Sequence, residues 1–161
     1  GPLFLRDAML AKAADLVEKT RGDGGKQAYD LDRGPSSLKD SAARVVVCEH
    51  ALVDAGKLKA ADLEKAFQTF WGFQEKIERV RVGDFHTDGE LAGFFFYHGL
   101  YFASESLEAL PAETREGHAK KLREWVLSIR ELDGSFIDSH ELGKSYGSAM
   151  ALLILRNTRA K

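Results

Sequence analysis

The chain has 161 residues, of which 44% are apolar, 30% charged and 10% aromatic, so it is long enough to form one domain with a buried core. Its formal net charge of -2 predicts no nucleic-acid partner, because a general nucleic-acid binder needs a basic face. The single cysteine, Cys48, excludes an intramolecular disulfide and an all-cysteine zinc site. No apolar run reaches the roughly 18 residues of a transmembrane helix. Gly1-Pro2 is typical of a tag-removal scar, which leaves residues 3–161 as the expected domain.

The first two predicted helices are separated by a polar, glycine-containing loop. Helix one ends at Arg21-Gly-Asp-Gly-Gly25, a run that a helix does not tolerate. Helix two is predicted from about Leu38 to Ala55, with Gly56 as its stop. The apolar stripe of helix one has helical spacing and includes Leu5, Met9, Leu16 and Val17.

Four more helices follow by the same reading of periodicity. Helix three is predicted over about Lys59 to Val80 and helix four over about Glu90 to Leu110. Pro111 opens helix five, and helix six covers about Gly143 to Asn157. The sequence therefore predicts an all-α protein with six helices.

An internal repeat groups these helices into three antiparallel hairpins. Gly83-Asp-Phe85 and Gly134-Ser-Phe136 stand 51 residues apart, each between an amphipathic helix and a more apolar one. A helix that is apolar nearly all round must be covered on both sides, so we expect the second helix of each hairpin to form an inner layer. Trp71 and Trp125 should then lie between the layers. The predicted hairpins span about residues 3–55, 59–110 and 112–157.

The last third of the chain resembles a known repeat. Ile129-Arg-Glu-Leu-Asp-Gly-Ser-Phe136, followed by Gly143-Lys-Ser-Tyr-Gly-Ser-Ala-Met-Ala-Leu-Leu153, is similar to the repeat of the terpenoid cyclase and protein prenyltransferase superfamily. The resemblance is clearest over about residues 112–156, weaker over 59–108 and faint over 3–55. It implies an α/α toroid, here either an arc of three hairpins or a small closed toroid.

The catalytic motifs of the resembled families are missing. Protonating terpenoid cyclases use an Asp-rich motif, whereas Asp30-Leu-Asp32 is followed here by Arg33-Gly34. Protein prenyltransferases bind zinc through Asp, Cys and His. Cys48 and His50 offer two of those types, but on an ideal helix their side chains point about 200° apart and cannot chelate one ion. We therefore predict no catalytic residues, no metal and no cofactor.

Acids and imidazoles are frequent in the loops that join the helices of each hairpin. In a toroid these corners gather at one end, which gives a candidate metal or ligand rim. The alternative is that the acids cap the following helices and oppose their dipoles. The candidate rim residues are Asp30, Asp32, His86, Asp88, Asp138 and His140.

Polar residues near the starts of the inner helices form a second candidate set. They would make a polar floor for a central pocket, or they would satisfy one another by hydrogen bonds in the core. The candidate pocket residues are Ser41, Tyr97, His98, Tyr101, Tyr146 and Ser148.

The preferred functional hypothesis is a non-catalytic binding or scaffolding module. The alternative is an enzyme or carrier with a central apolar pocket for an isoprenoid-like substrate. The expected partner is a protein or another domain of the same protein. The four apolar residues Leu152-Leu-Ile-Leu155 in helix six must pack against another surface. That surface belongs to the first hairpin, to a second copy in a homodimer or to a further domain. The sequence leaves the compartment undetermined.

Overall fold

The computed structural model describes residues 2–28, 32, 34–79, 81, 96–139 and 142–159. Within those ranges every regular element is a helix, which confirms the predicted all-α class. Two short 3₁₀ turns, Asp23–Gly25 and Ser106–Ala109, accompany the α-helices. The α-helices are α1 (Pro2–Thr20), α2 (Leu38–Asp54), α3 (Ala60–Gly72), α4 (Gln74–Arg79), α5 (Phe96–Glu105), α6 (Ala112–Ser128) and α7 (Gly143–Asn157).

The single helix predicted over residues 59–80 is wrong, because α3 and α4 are separate. Phe73 between them has φ -116° and ψ 20°, and its N–H donates to the carbonyl of Phe70 at 3.2 Å, a bond three residues back instead of four. The break follows Gly72, since glycine is a poor helix former. The predicted start of the next helix at Glu90 and the Phe85 corner lie outside the described residues.

Side chains fix the starts of α2 and α3. The Ser37 hydroxyl accepts a hydrogen bond from the backbone N–H of Asp40 at 3.2 Å, so Ser37 is the N-cap of α2. Asp62 accepts from the backbone N–H of Lys59 at 3.2 Å and closes the first turn of α3. Pro111 stands immediately before α6, where its fixed φ favours helix initiation.

An ion pair ties the end of α1 to α2. Arg21 donates through Nε and Nη2 to the two carboxylate oxygens of Glu49, at 2.7 and 3.0 Å. Glu49 is buried, so this forked geometry compensates the charge that the fold removes from water. The turn that follows Arg21 passes through Gly24 and Gly25, whose φ values of 72° and 82° favour glycine.

Helices α2, α5 and α7 pack side by side, with α5 between the other two. Helix α2 packs against α1, α3 and α5, whereas α5 packs against α2 and α7, and α6 packs against α7. Gly99 of α5 permits a close approach, because a Cβ there would lie 3.2 Å from that of Ala43. The largest fully buried apolar side chains of this core are Leu52, Leu63, Phe67, Phe70, Ile77, Phe96, Tyr97, Leu100, Leu122 and Ile154.

Burial follows the predicted layering in α2 and α5 but not in α7. Helix α7 buries only Gly147, Ala151 and Ile154, fewer residues than α6 buries. The prediction that the second helix of each hairpin is the more buried one is therefore wrong for the third hairpin. Helices α5 and α6 pack against α7, and Leu152 remains 65% exposed.

Helix α1 also exposes apolar side chains. Among its described side chains, those of residues 7–20, Ala14 is the buried one, whereas Met9 is 64% and Leu16 is 47% exposed. Part of the stripe that predicted this helix thus faces solvent. Both the first and the last helix of the chain expose large apolar side chains.

Candidate functional site

Asp138 is a rim candidate that the structure places in a defined role. Its carboxylate is fully buried and accepts the backbone N–H groups of Phe96 and Tyr97 at 3.1 and 2.8 Å. These donors lie in the first turn of α5, so Asp138, which lies between α6 and α7 in the chain, caps α5. Asp32 is exposed, while Asp30, His86, Asp88 and His140 lie outside the described residues.

Burial decides the acidity of Asp138. It raises the pKa of the carboxyl above its usual value, although the two backbone hydrogen bonds and the charge of Arg81 act in the opposite direction. Both oxygens are already engaged by α5. Among the described residues no three His, Cys, Asp or Glu side chains are grouped closely enough to bind a metal ion. Apart from Asp138 and the exposed Asp32, the predicted rim residues lie outside the described part.

Three of the pocket candidates lie near the Phe136 corner. The Tyr97 ring lies 6.3 Å from the Phe136 ring, edge to face, and the Ser148 hydroxyl accepts the backbone N–H of Phe136 at 3.1 Å. Tyr146 is half-buried, and burial together with the charge of Asp138 raises its pKa. The Tyr97 hydroxyl is buried without a hydrogen-bond partner among the described residues, and burial raises its pKa.

The other pocket candidates lie in different surroundings. Ser41 is buried in α2 and donates to the carbonyl of Ser37 at 2.8 Å, a bond within its own helix. His98 is exposed, and its ring lies 4.7 Å from that of Phe102. Tyr101 is half-buried and also contacts Phe102. The described contacts therefore do not unite all six candidates in one pocket, and the central pocket stays a prediction.

The cysteine and histidine of α2 serve no common site. Burial raises the pKa of the Cys48 thiol to about 11, so the sulfur is protonated at neutral pH and is a poor nucleophile and metal ligand. His50 pairs instead with Asp54, one helical turn along, at 3.5 Å.

A cleft that the sequence did not predict lies where α3, α4 and α6 meet. It consists of two open surface depressions of about 520 and 530 Å³ that share Trp71 and Gln74. We call it the tryptophan cleft, since both tryptophans of the chain line it. Its other lining residues are Gly72, Phe73, Glu75, Lys76, Glu78, Lys121, Glu124, Trp125 and Ser128.

Hydrogen bonds from both indole groups hold the tryptophans in place. Trp71 Nε1 donates to His118 Nδ1 at 2.8 Å, and the Nε2 atom of His118 lies 3.1 Å from both carboxylate oxygens of Glu64. Because Nδ1 accepts, a neutral His118 must carry its proton on Nε2 and donate it to Glu64. Trp125 Nε1 donates to Glu78 Oε2 at 2.7 Å.

Aromatic packing adds to this support. The two indole rings lie 6.0 Å apart at 54°, and Phe70 contacts both of them edge to face. Trp125 also contacts Phe96 of α5, so it is buried between α6 and α5. The position of the two tryptophans between an inner and an outer layer stays a prediction. Trp71 is half-buried and remains accessible from the cleft.

A cation already occupies one side of the cleft. Lys121 Nζ lies 5.6 Å from the centroid of the Trp71 ring, within the distance of a cation–π interaction. Sequence reasoning missed this cleft because it depends on the break between α3 and α4, which turns Gln74 and its neighbours toward α6. Gly72 inside a predicted helix was the available signal.

No family model, no curated protein and no solved structure matches this chain. The described helices include none that is both long and apolar enough to cross a bilayer. The chemistry of the tryptophan cleft is therefore the basis for a functional assignment.

Proposed function

We propose that this chain is a non-catalytic binding module whose ligand or partner docks at the tryptophan cleft. The observation that carries the proposal is the half-buried Trp71 ring, which is held by the bond from its indole N–H to His118 and packs against the buried Trp125 at 6.0 Å. Large, rigid aromatic side chains give much contact area at a low entropic cost and are enriched at binding surfaces.

The polar groups beside the cleft support a binding role over a catalytic one. Burial acts to raise the pKa of Glu64, but hydrogen bonds from Thr114, His118 and Gln68, together with the interaction with the charge of His118, lower it below its ordinary value, so the carboxylate is ionised and braces the imidazole. Both ring nitrogens of His118 are engaged in that arrangement. A general base needs a free lone pair within reach of a substrate proton, whereas these groups orient Trp71.

The packing supports a toroid-like arc as the scaffold for this cleft. Helix α5 packs against both α2 and α7, as expected if the second helices of three hairpins form a continuous layer. The arc, and the relationship to the terpenoid cyclase and prenyltransferase repeat, are part of the proposal. A partner protein or a further domain would contact the surface that α3, α4 and α6 form around the cleft.

A fragment screen followed by two-dimensional NMR tests the binding proposal. The chain has two tryptophans, so the two indole N–H signals report on the cleft alone. We expect hits to shift both indole signals and the side-chain amide of Gln74, and to lose this effect in Trp71→Leu. His98, exposed on α5, provides a reporter remote from the lining residues, and its signals should not move.

The same screen separates the binding module from the isoprenoid alternative. A farnesyl or geranylgeranyl compound that shifts the signals of Tyr97, Tyr146 and Ser148 would favour a central apolar pocket. Hits that leave both indole signals unchanged, or no hits at all, would refute the tryptophan cleft as the binding site.

A further inference from the structure

We infer that a proton controls the shape of the tryptophan cleft, because protonation of His118 breaks its hydrogen bond with Trp71 and releases the Trp71 ring. The inference goes beyond the proposed function, since this change in Trp71 needs no ligand. Its consequence for binding rests on the proposed function, because Trp71 lines both depressions of the cleft.

The bond between Trp71 and His118 requires a neutral imidazole. The indole Nε1 atom can only donate, and it donates to His118 Nδ1 at 2.8 Å. A protonated histidine carries a hydrogen on both ring nitrogens and has no acceptor left. In the protonated state two N–H groups would therefore face each other across this distance, and one of the two side chains has to move.

The surroundings of the two rings indicate that Trp71 is the side chain that moves. The His118 ring is largely buried and lies 4.7 Å from the ring of Phe67, while its Nε2 lies 3.1 Å from both carboxylate oxygens of Glu64. Protonation makes that contact a charge-assisted one, which holds the imidazole more firmly. Trp71 is half-buried and lines the open cleft, where its N–H can bond to water instead.

The charged groups near His118 act on its protonation in opposite directions. The Glu64 carboxylate of α3 bonds to the imidazole and favours the protonated ring. The Lys121 ammonium, which belongs to the next turn of α6, lies 5.6 Å from the centroid of the Trp71 ring and disfavours a second positive charge nearby. Arg115, in the preceding turn of α6, donates to the backbone carbonyls that come before this helix. The state of His118 therefore depends on a balance that pH can shift.

Two-dimensional NMR tests the switch without a ligand. Histidine ordinarily changes charge between about pH 5 and 8, so the full chain is titrated across that range. The imidazole nitrogen signals of His118 report its protonation, and the indole N–H signal of Trp71 reports the bond between them. We expect both signals to change with one shared midpoint. The indole proton should move upfield, because it loses its bond to the imidazole nitrogen.

Two histidine variants identify the titrating group. The side-chain oxygen in His118→Asn can accept from Trp71 but takes up no proton in this range, so the Trp71 signal should lose its transition. His98→Asn is the matched control, because His98 is exposed on α5 and does not line the cleft. It should leave the Trp71 transition unchanged.

The native chain alone decides the matter if His118→Asn does not fold. A Trp71 signal that stays in place while His118 takes up its proton would overturn the inference. A His118 that stays neutral down to about pH 5 would overturn it as well, and so would a Trp71 transition that persists in a folded His118→Asn.

Failure of the proposed function gives a different result. If no fragment binds the cleft, the proposed function fails and the Trp71 transition still stands. Fragments that do bind should show different affinities at the two ends of the pH titration. Equal affinities would overturn the control of binding by His118.

Discussion

Asp138 stabilises the first turn of α5 from outside that helix, since its two carboxylate oxygens accept the N–H groups of Phe96 and Tyr97. The first N–H groups of any helix lack partners within the helix, and here they are buried with the residues that carry them. A carboxylate matches two such donors, whereas an amide offers one acceptor oxygen.

We expect Asp138→Ala, which removes both acceptor oxygens, to lower the free energy of unfolding by about 1–3 kcal/mol, the usual cost of an unsatisfied buried donor. Chemical denaturation at neutral pH measures this difference. An unchanged midpoint would show that the carboxylate does not cap α5.

The loss in Asp138→Ala should depend on pH. Burial raises the pKa of Asp138 above its usual 3.8, so ionisation costs more in the folded state than in the unfolded one. Its contribution to stability is complete below the unfolded pKa and decreases as pH rises through the folded pKa. The gap between the native chain and the variant should therefore narrow as the pH is raised from about 3. Asp133→Asn is the control of opposite sign, because the hydrogen bond from Lys144 lowers the pKa of Asp133.

At the scale of helices, Gly147 determines how closely α7 approaches the Phe136 corner. A Cβ at position 147 would lie 2.5 Å from the carbonyl oxygen of Phe136 and 2.9 Å from the nitrogen of Asp138, both backbone atoms that cannot rotate away. Gly147, in the repeat-like motif Tyr146-Gly-Ser148, is therefore required for the close packing of α7 against this corner.

Gly147→Ala should destabilise the fold by about 1–3 kcal/mol, as overpacking does elsewhere. Gly72→Ala is the matched control, because no atom lies within 4 Å of a Cβ at that position. It should be neutral or stabilise by up to about 1 kcal/mol through the unfolded state. Thermal unfolding of both variants checks the pair, and equal losses would contradict the close approach of α7.

The sequence predicted most helices because their signals are local. Periodicity, the Arg21–Gly25 run and Pro111 each act within one or two turns, and α1, α2, α6 and α7 have the predicted limits within a few residues. The sequence did not indicate the break at Phe73, because apolar residues continue at helical spacing on both sides of Gly72.

The site was less predictable because its geometry joins residues far apart in the chain. Trp71 and His118 are 47 residues apart, as are Trp125 and Glu78, and no local pattern relates them. Asp138 was recognised as a capping or rim residue, but the helix that it caps follows from packing alone. The candidates His86 and His140 stay predictions.

For the whole molecule, the exposed apolar side chains are concentrated at the two ends of the helical series. Met9, Leu10 and Leu16 of α1 and Leu152 of α7 account for four of the six large apolar residues exposed in the described part. Patches of this kind mark interaction surfaces when they are contiguous, and terminal units of stacked repeats normally carry polar faces instead.

We expect the chain to bind a hydrophobic dye, and we expect Met9→Lys with Leu16→Lys to reduce that binding. Leu132→Lys is the control, because Leu132 is exposed on its own in the turn after α6. Light scattering then identifies what packs against the exposed apolar side chains. A mass that rises above 17.8 kDa with concentration shows that a second copy of the chain covers them, and a constant mass shows that another partner does. Dye binding that the double substitution leaves intact would contradict an exposed face on α1.

The cap that Asp138 places on α5 makes that helix depend on a residue 41 positions further along the chain than Tyr97. A fragment that ended before Asp138 would contain α5 without the carboxylate that completes its first turn. A truncated or recombined chain should therefore keep α5 and the corner before α7 on the same segment.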